Sequence, residues 1–557
     1  MARIYELTIN NFRGIKTFSQ KFKQNFICFL GRGDSGKTTI LDAISSVLSS
    51  SWNLSFYDSD FFNGKTDNPI EIEVSLCDFP EKLIKEERYG LHIRGLDSNG
   101  DIQDELQDDH EKVLTIKLEI EKDLEPQWYV INKRQEPRQI SANDRARLNV
   151  YMVSDYVDRH FSWSRGNPLY SILKEKQSKG NENSDVIIEA LRDAKEKIDQ
   201  YSFEQFDDIT ESVKKVSSNF GIDLSGVKTT IDFKDVSIKD GRVCLHDGDV
   251  PLRLKGKGTK RLISMAIQAI LAQHGGIMLI DEVEQGLEPD RIRHLVRSLK
   301  NDNSGQIFIT THSSEVITEL DADDLIIVNN NKGSVTIAAP TQKFQDIIRA
   351  CPEAGYAKKV IVCEGKTEIG ICRALDIYRK INNKEYMSFK DCVYTVGGGD
   401  SFSERAVKLK ELGLDVCVFC DSDKDSELKL TKEDLKNSDI KIFDCENDNA
   451  IEHQVFQDLP MDGVKEILSY KENEIPEASI IDSVKSRYSQ NFPDNWKDQD
   501  TLEMRRAIAE TAKNKEWFKR IDHGEFLGSV IFKFFDQMEG KKLREQFESL
   551  SNWIDER

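Results

Sequence analysis

A chain of 557 residues, 38% hydrophobic and 32% charged, has the balance of a soluble globular protein with room for about three or four domains. Its formal net charge of −20 excludes a protein that coats DNA by general electrostatics, but not carboxylate metal sites served by a local basic track. No apolar run approaches the ~18 residues that span a bilayer, and Met1-Ala-Arg-Ile-Tyr-Glu6 lacks the apolar core of a secretory signal, so no membrane partner is expected. Ten cysteines without framework spacing point to reduced thiols in a cytoplasm.

From the N-terminus, Arg3-Ile-Tyr-Glu-Leu-Thr-Ile-Asn10 alternates like an edge strand, and Asn11-Phe-Arg-Gly14 turns the chain. The apolar run Phe26-Ile-Cys-Phe-Leu30 then leads into Gly31-Arg-Gly33-Asp-Ser35-Gly36-Lys37-Thr38, with Thr39 continuing into an apolar helix. A glycine-rich turn between strand and helix cradles nucleotide phosphates, because its backbone N–H groups and the helix N-terminus converge on one place. Lys37 is expected at the β- and γ-phosphates of ATP and the Thr38 hydroxyl on Mg²⁺. Asp60 is a candidate for the polar switch residue that usually follows such a turn.

The stretch 174–182 is polar and reads as a loop, and 184–216 has helical periodicity with mixed charge. Arg253, Lys255, Lys257, Lys260 and Arg261 form a candidate basic track, around the glycine turn Leu254-Lys-Gly256-Lys-Gly258 that opens another apolar helix. The strand Ile277-Met-Leu-Ile280 ends in Asp281 and Glu282, placed to hold the Mg²⁺ shell and to polarise the attacking water. Gln306-Ile-Phe-Ile-Thr-Thr311 is a further strand, ending at His312, a candidate γ-phosphate sensor.

In the second half, Val360-Ile-Val-Cys363 delivers Glu364 within Glu364-Gly-Lys-Thr-Glu368. Asp391-Cys-Val-Tyr-Thr-Val396 stops at a glycine run, and Asp415-Val-Cys-Val-Phe-Cys420 ends in Asp421-Ser-Asp423. Strands alternating with helices, with acids at successive strand ends, predict a parallel sheet with its ligand site at those ends. Such a cluster suits Mg²⁺, and two ions can stabilise both the attacking and the leaving oxygen of a phosphodiester. Cys417-x-x-Cys420 lies inside the apolar strand and reads as core rather than half a zinc site.

The first half resembles the ABC ATPases of the SMC, RecF and RecN type. The resemblance implies that the glycine turn with Gly258 completes a partner subunit's nucleotide site, and hence at least a dimer. The family has serine where this chain has Gly256, which bears on whether ATP is hydrolysed. The second half resembles a TOPRIM domain, and the combination resembles the OLD (overcoming lysogenisation defect) nucleases, the group that includes the Gabija nuclease. That resemblance implies two Mg²⁺ or Mn²⁺ ions held by Glu364, Glu368, Asp421, Asp423 and Glu452, the last in Asn449-Ala-Ile-Glu452. The family often places a serine where Ala450 stands. It also implies a lysine that neutralises charge on the phosphate, for which Lys519 is chosen over the nearby Lys513, Lys515 and Arg520.

The expected fold class is therefore α/β: an ATPase head in two pieces, 1–154 and 239–345, around a helical dimerisation insert at 155–238. A TOPRIM parallel-sheet core at 355–460 and a helical region at 461–557 would follow. The expected function is an ATP-regulated, divalent-metal-dependent DNA endonuclease or nickase. By resemblance it would act in bacterial anti-phage defence, alone or with a helicase or a reverse-transcriptase–DNA partner encoded nearby. The competing expectation is a nucleotide-gated DNA clamp or scaffold with an inactive TOPRIM domain.

Overall fold

The computed structural model describes residues 2–153, 158–161, 168–169, 246–247, 249–273, 276–301, 305–382, 391–398, 401–422, 430–446 and 449–556, with a few single positions. Nearly all of the 155–238 insert and Asp423 lie outside the described residues. The chain forms two compact units that interleave in sequence. One comprises Met1–Phe26, Thr38–Glu288 and Ser298–Ile309; the other comprises Ile27–Lys37, Pro289–Arg297 and Thr310–Arg557.

In the first unit an antiparallel run is built on Arg3–Phe12, flanked by Ile15–Lys21 on one side and Ile70–Cys77 on the other. Glu111–Ile120 and Pro126–Asn132 extend it. Arg3–Phe12 is thus an interior strand, which corrects the edge reading. Alternation reports that one face is buried, as Tyr5, Leu7 and Ile9 are, and says nothing of whether both edges are paired. The same unit holds a parallel run in which Ile277–Ile280 lies between Val150–Val153 and Gln306–Thr310. The buried Gln306 amide joins the two runs: its Oε1 accepts from the Ile4 N–H at 2.7 Å and its Nε2 donates to the Ile4 carbonyl at 3.0 Å. A side-chain amide thereby satisfies backbone groups that would otherwise be orphaned in the core.

In the second unit, Phe26–Leu30 pairs in parallel with Leu325–Asn331, which pairs antiparallel with Ser334–Ala338. Further along the chain lies a four-stranded, wholly parallel sheet in the order Cys392–Val396, Lys359–Cys363, Asp415–Cys420, Lys441–Asp444. Helices Lys366–Asn382 and Phe402–Glu411 lie between its strands in sequence, as the alternation predicts. Cys417 and Cys420 are both buried in the sheet, as strand core.

The helices that follow are packed into the same core. Lys366–Asn382 and Ile521–Lys533 touch through small residues: a Cβ on Gly370 would lie 2.4 Å from the Glu525 nitrogen and the Ile521 oxygen. One on Gly524 would lie 2.6 Å from the Thr367 oxygen, and one on Gly528 2.6 Å from the Ala374 Cβ. Residues four apart share one helix face, so Gly370/Ala374 and Gly524/Gly528 form two facing flat strips. Among the described residues no helix is long and apolar enough to cross a membrane.

Candidate active site

The glycine turn after Phe26–Leu30 has the backbone that a phosphate cradle needs. Gly31 has φ +147° and leaves no space for a side chain, since a Cβ would lie 2.5 Å from the Val328 oxygen and 2.7 Å from the Ser35 hydroxyl. Gly36 also has positive φ, whereas Gly33 has open space around it. Lys37 is buried, and its ammonium donates to the carbonyls of Gly31 at 2.8 Å and Arg32 at 3.0 Å. The loop thus holds the ammonium of this lysine on its own carbonyls. Thr39 is half-buried on the first turn of helix Lys37–Val47.

The exposed Thr38 hydroxyl donates to Asp281 Oδ1 at 3.0 Å, so two residues 243 positions apart meet where a Mg²⁺ shell is expected. Glu282 is exposed and has φ +47°, a left-handed backbone that a glutamate adopts at a cost. Arg261 holds that turn: its guanidinium donates to the carbonyls of Asp281 and of Glu282 and to Gln285 Oε1 at 2.6 Å. Gly258 packs against the same turn, where a Cβ would lie 2.4 Å from the Gly286 oxygen. Two members of the expected basic track are therefore committed elsewhere, Arg261 here and Lys255 to Asp247 at 2.6 Å. A cluster of charges in sequence cannot show which of them are already paired.

Two residues of this region had no place in the sequence reading. Arg13, at φ +48°, bridges Asp42 and Asp60, the latter at 2.8 Å. Asp60 is thereby tied to the turn that follows Arg3–Phe12. Burial pushes the Asp42 carboxyl up against the pull of Arg13, and Asp281 and Asp60 add like charge. The i,i+4 spacing of Thr38 and Asp42 on one helix was the available signal. His312 is exposed after Gln306–Thr310, with its ring 6.1 Å from that of Tyr356.

The metal-side acids arise from strand ends and helix starts. Glu364 follows Lys359–Cys363, and its Oε2 accepts from the Asp421 N–H at 3.0 Å, which joins two neighbouring strand ends. Glu368 folds back over the first turn of Lys366–Asn382 and accepts from the Gly365 N–H at 2.8 Å. Asp421 Oδ1 accepts from the Ile451 N–H at 2.8 Å, capping helix Ile451–Asp458 where Ala450 has no side chain to do so. At Ala450, where the resemblance would often place a serine as a minor ligand, the helix start is thus capped by an acid from the neighbouring strand.

Charge crowds here. Burial pushes the Glu368 carboxyl up to about 7, and the charges of Glu364 and Glu452 push the same way. Burial also raises Glu452, while Lys519, His453 and Lys513 pull it down. Lys519 is exposed and its side chain makes no hydrogen bond or ion pair among the described residues; its electrostatic reach to Glu452 sets it at the cluster. The Thr367 hydroxyl fixes that loop by donating to the Phe518 oxygen at 2.9 Å. No three His, Cys, Asp or Glu side chains are gathered into a ready metal cage among the described residues. The donor set fits a divalent ion nonetheless: carboxylates supply hard oxygen ligands, and burial with neighbouring like charge makes the ionised Glu368 costly without a cation.

A third feature lies within the second unit, between the nucleotide loop and the parallel sheet. The Arg32 guanidinium pairs with Asp391 at 2.8 Å, and Lys358 pairs with the same carboxylate at 3.2 Å. The Asp391 carbonyl accepts from the N–H groups of Lys358 and Lys359, at the root of the strand that delivers Glu364. Leu30, just before the loop, packs on Gly355 and lines one apolar pocket with Leu409, Leu412 and Leu414.

Residues 3–317 match the model of an AAA ATPase domain family, and residues 356–423 match an overcoming lysogenization defect protein-like TOPRIM domain. The Old nuclease of Escherichia phage P2 is 25% identical over 218 residues, 34% of this chain and 36% of that protein. An ATP/GTP phosphatase of Helicobacter pylori is 38% identical over 78 residues, 13% of this chain and 21% of that protein. The chain thus spans only about a third and a fifth of the relatives it matches. A solved SMC head domain from Thermotoga maritima aligns with 60% of this chain and 98% of its own at 16% identity, with a TM-score of 0.29.

Proposed function

Because the chain belongs to the AAA ATPase domain family and joins to it an OLD-like TOPRIM domain, we propose that it is a divalent-metal-dependent DNA endonuclease or nickase regulated by ATP. The observation that supports this reading is that the Glu364 carboxylate accepts from the Asp421 N–H across neighbouring strand ends, while Glu364 and Glu452 add like charge beside the buried Glu368.

Glu364, Glu368, Asp421 and Glu452 would hold Mg²⁺ or Mn²⁺, with Asp423 as a fifth ligand. The ions would supply Lewis-acid stabilisation of the attacking and leaving oxygens. Asp421 and Glu368 are oriented by backbone N–H groups, so their carboxylates are set before a ligand arrives. Lys519, without a fixed partner, is able to turn its ammonium to the developing phosphate charge. In the ATPase part, Lys37 would exchange the loop carbonyls for phosphate oxygens. Thr38 and Asp281 would share the nucleotide's Mg²⁺, and Glu282 would polarise water, with His312 reading the γ-phosphate. Gly258 opens a helix whose start the ABC-type resemblance assigns to a partner's nucleotide, so the working form is a dimer or larger. We place the activity in defence against phage on the family resemblance.

The deciding experiment is cleavage of supercoiled plasmid with Mg²⁺ or Mn²⁺, with and without ATP, for the wild type and Glu364→Ala. The expected result is metal-dependent nicking or cutting that the substitution abolishes and that ATP changes in rate. Equal cutting by both proteins would move the active site elsewhere. No cutting of any DNA by the wild type would favour a nucleotide-gated scaffold instead.

A further inference from the structure

A cleft of about 440 Å³ runs between helix Ile451–Asp458 and helix Leu502–Asn514. His453 on its lining follows Glu452 directly in the chain. Asn449 on its rim accepts through its carbonyl from the Ser422 N–H at 3.0 Å, next to Asp421. Lys513 lies on its wall.

The cleft is basic in a chain whose net charge is −20. Among the described residues, Arg505, Arg506 and Lys513 line it together with the acid Glu510. Arg505 is structural, since it donates to the carbonyls of Phe456 and Leu459 and pairs with Asp500 at 2.6 Å, which fixes the spacing of the two helices. Arg506 is exposed, and its side chain makes no hydrogen bond or ion pair among the described residues. Glu510 is held by His453 Nε2 at 3.1 Å and Asn514 Nδ2 at 3.1 Å, which fixes its carboxylate on the cleft wall. At the mouth Leu502 is 56% exposed, an apolar surface that a sugar or base can cover.

We propose that this cleft binds the sugar–phosphate backbone of DNA flanking the scissile phosphate, with Arg506 and Lys513 as phosphate ligands and Asn449 and Gln457 as neutral polar contacts. The proposal rests on the nuclease reading above and gives its substrate a path. Backbone phosphates follow one another along a strand, so a strand held at the metal acids must continue over a neighbouring surface. The cleft is cationic and polar, and its lining residues Asn449 and His453 adjoin Ser422 and Glu452. Contacts of this kind set register and affinity without reading sequence.

The test measures anisotropy of a fluorescein-labelled DNA oligonucleotide, single- and double-stranded, across a KCl series in EDTA, for the wild type, Arg506→Gln, Lys513→Gln and Glu510→Gln. Steady-state cleavage with Mn²⁺ is run in parallel. Each lost phosphate contact should reduce the slope of log affinity against log salt by about 1. KM should rise in Arg506→Gln with kcat kept, and in Lys513→Gln as well. Glu510→Gln should bind more tightly, a gain that misfolding cannot produce. Wild-type slopes and KM in both cation variants of an enzyme that cuts would overturn the cleft and leave the nuclease reading intact. A wild type that cuts no DNA counts against the nuclease reading, and the salt slopes then decide the cleft independently. A larger slope change with RNA of the same sequence would overturn the assignment to DNA.

Discussion

Glu368 shows at the scale of one residue what the proposed metal site asks of the chain. It is 4% exposed, lies beside like charges, and has its carboxyl raised from 4.5 to about 7. A raised folded-state value means that the folded protein holds this proton more tightly than the unfolded chain. The associated stability is complete below about 4.5 and is lost as pH rises through about 7. In EDTA, the melting temperature of the wild type should therefore fall relative to that of Glu368→Gln as pH is raised across that window. Mn²⁺ should restore the wild type more at the upper end than at the lower, because metal binding displaces the proton. Parallel profiles for the two proteins in EDTA would refute the assignment. The sequence marked Glu368 as an acid one helical turn after Glu364. That it caps its own helix and is repelled by Glu452, 84 positions on, follows only from the fold.

At the scale of elements, the close crossing of Lys366–Asn382 and Ile521–Lys533 decides where the Lys519 loop sits. Gly370 and Gly524 let the backbones approach, and Thr367 then hydrogen-bonds the residue before Lys519. Gly370→Ala should cost about 1–3 kcal/mol by overpacking, since the neighbours it meets are backbone atoms that cannot rotate away. DNA cleavage should fall while ATP binding is kept, measured by chemical denaturation, plasmid nicking and nucleotide titration on one preparation. Unchanged stability and cleavage would mean that the helices part without consequence. The parallel sheet itself was legible, because apolar runs ending in acids recur at strand spacing. The crossing was not, since glycines 154 positions apart carry no mutual signal in a single sequence.

At the scale of the molecule, Arg32 and Asp391 offer a route by which nucleotide changes the metal site. Arg32 lies between Gly31 and Gly33, and its carbonyl accepts from Lys37, so a lysine drawn to phosphate releases the same residue that pairs with Asp391. The pair is partly exposed and worth little to stability, of the order of 0–1 kcal/mol. Asp391→Asn should therefore fold, bind ATP and cleave with metal, but lose most of the change in cleavage rate that ATP produces. An undiminished ATP response, read from nicking rates with and without nucleotide, would assign the coupling elsewhere.

The sequence by itself marked the candidate segments: the glycine-rich loop, the Asp281–Glu282 strand end, and the acids at 364, 368 and 421. These are local signals, in which a strand, a turn and a helix start lie within a few residues of one another, and short-range backbone geometry fixes the rest. It also suggested a basic track at 253–261, two of whose members the fold spends on other partners, and it took Arg3–Phe12 for an edge. Pairing and burial are properties of two distant segments at once, so only the tertiary structure decided that Arg261 supports the Asp281–Glu282 turn, that Asp421 caps Ile451–Asp458, and that a basic cleft opens between that helix and Leu502–Asn514.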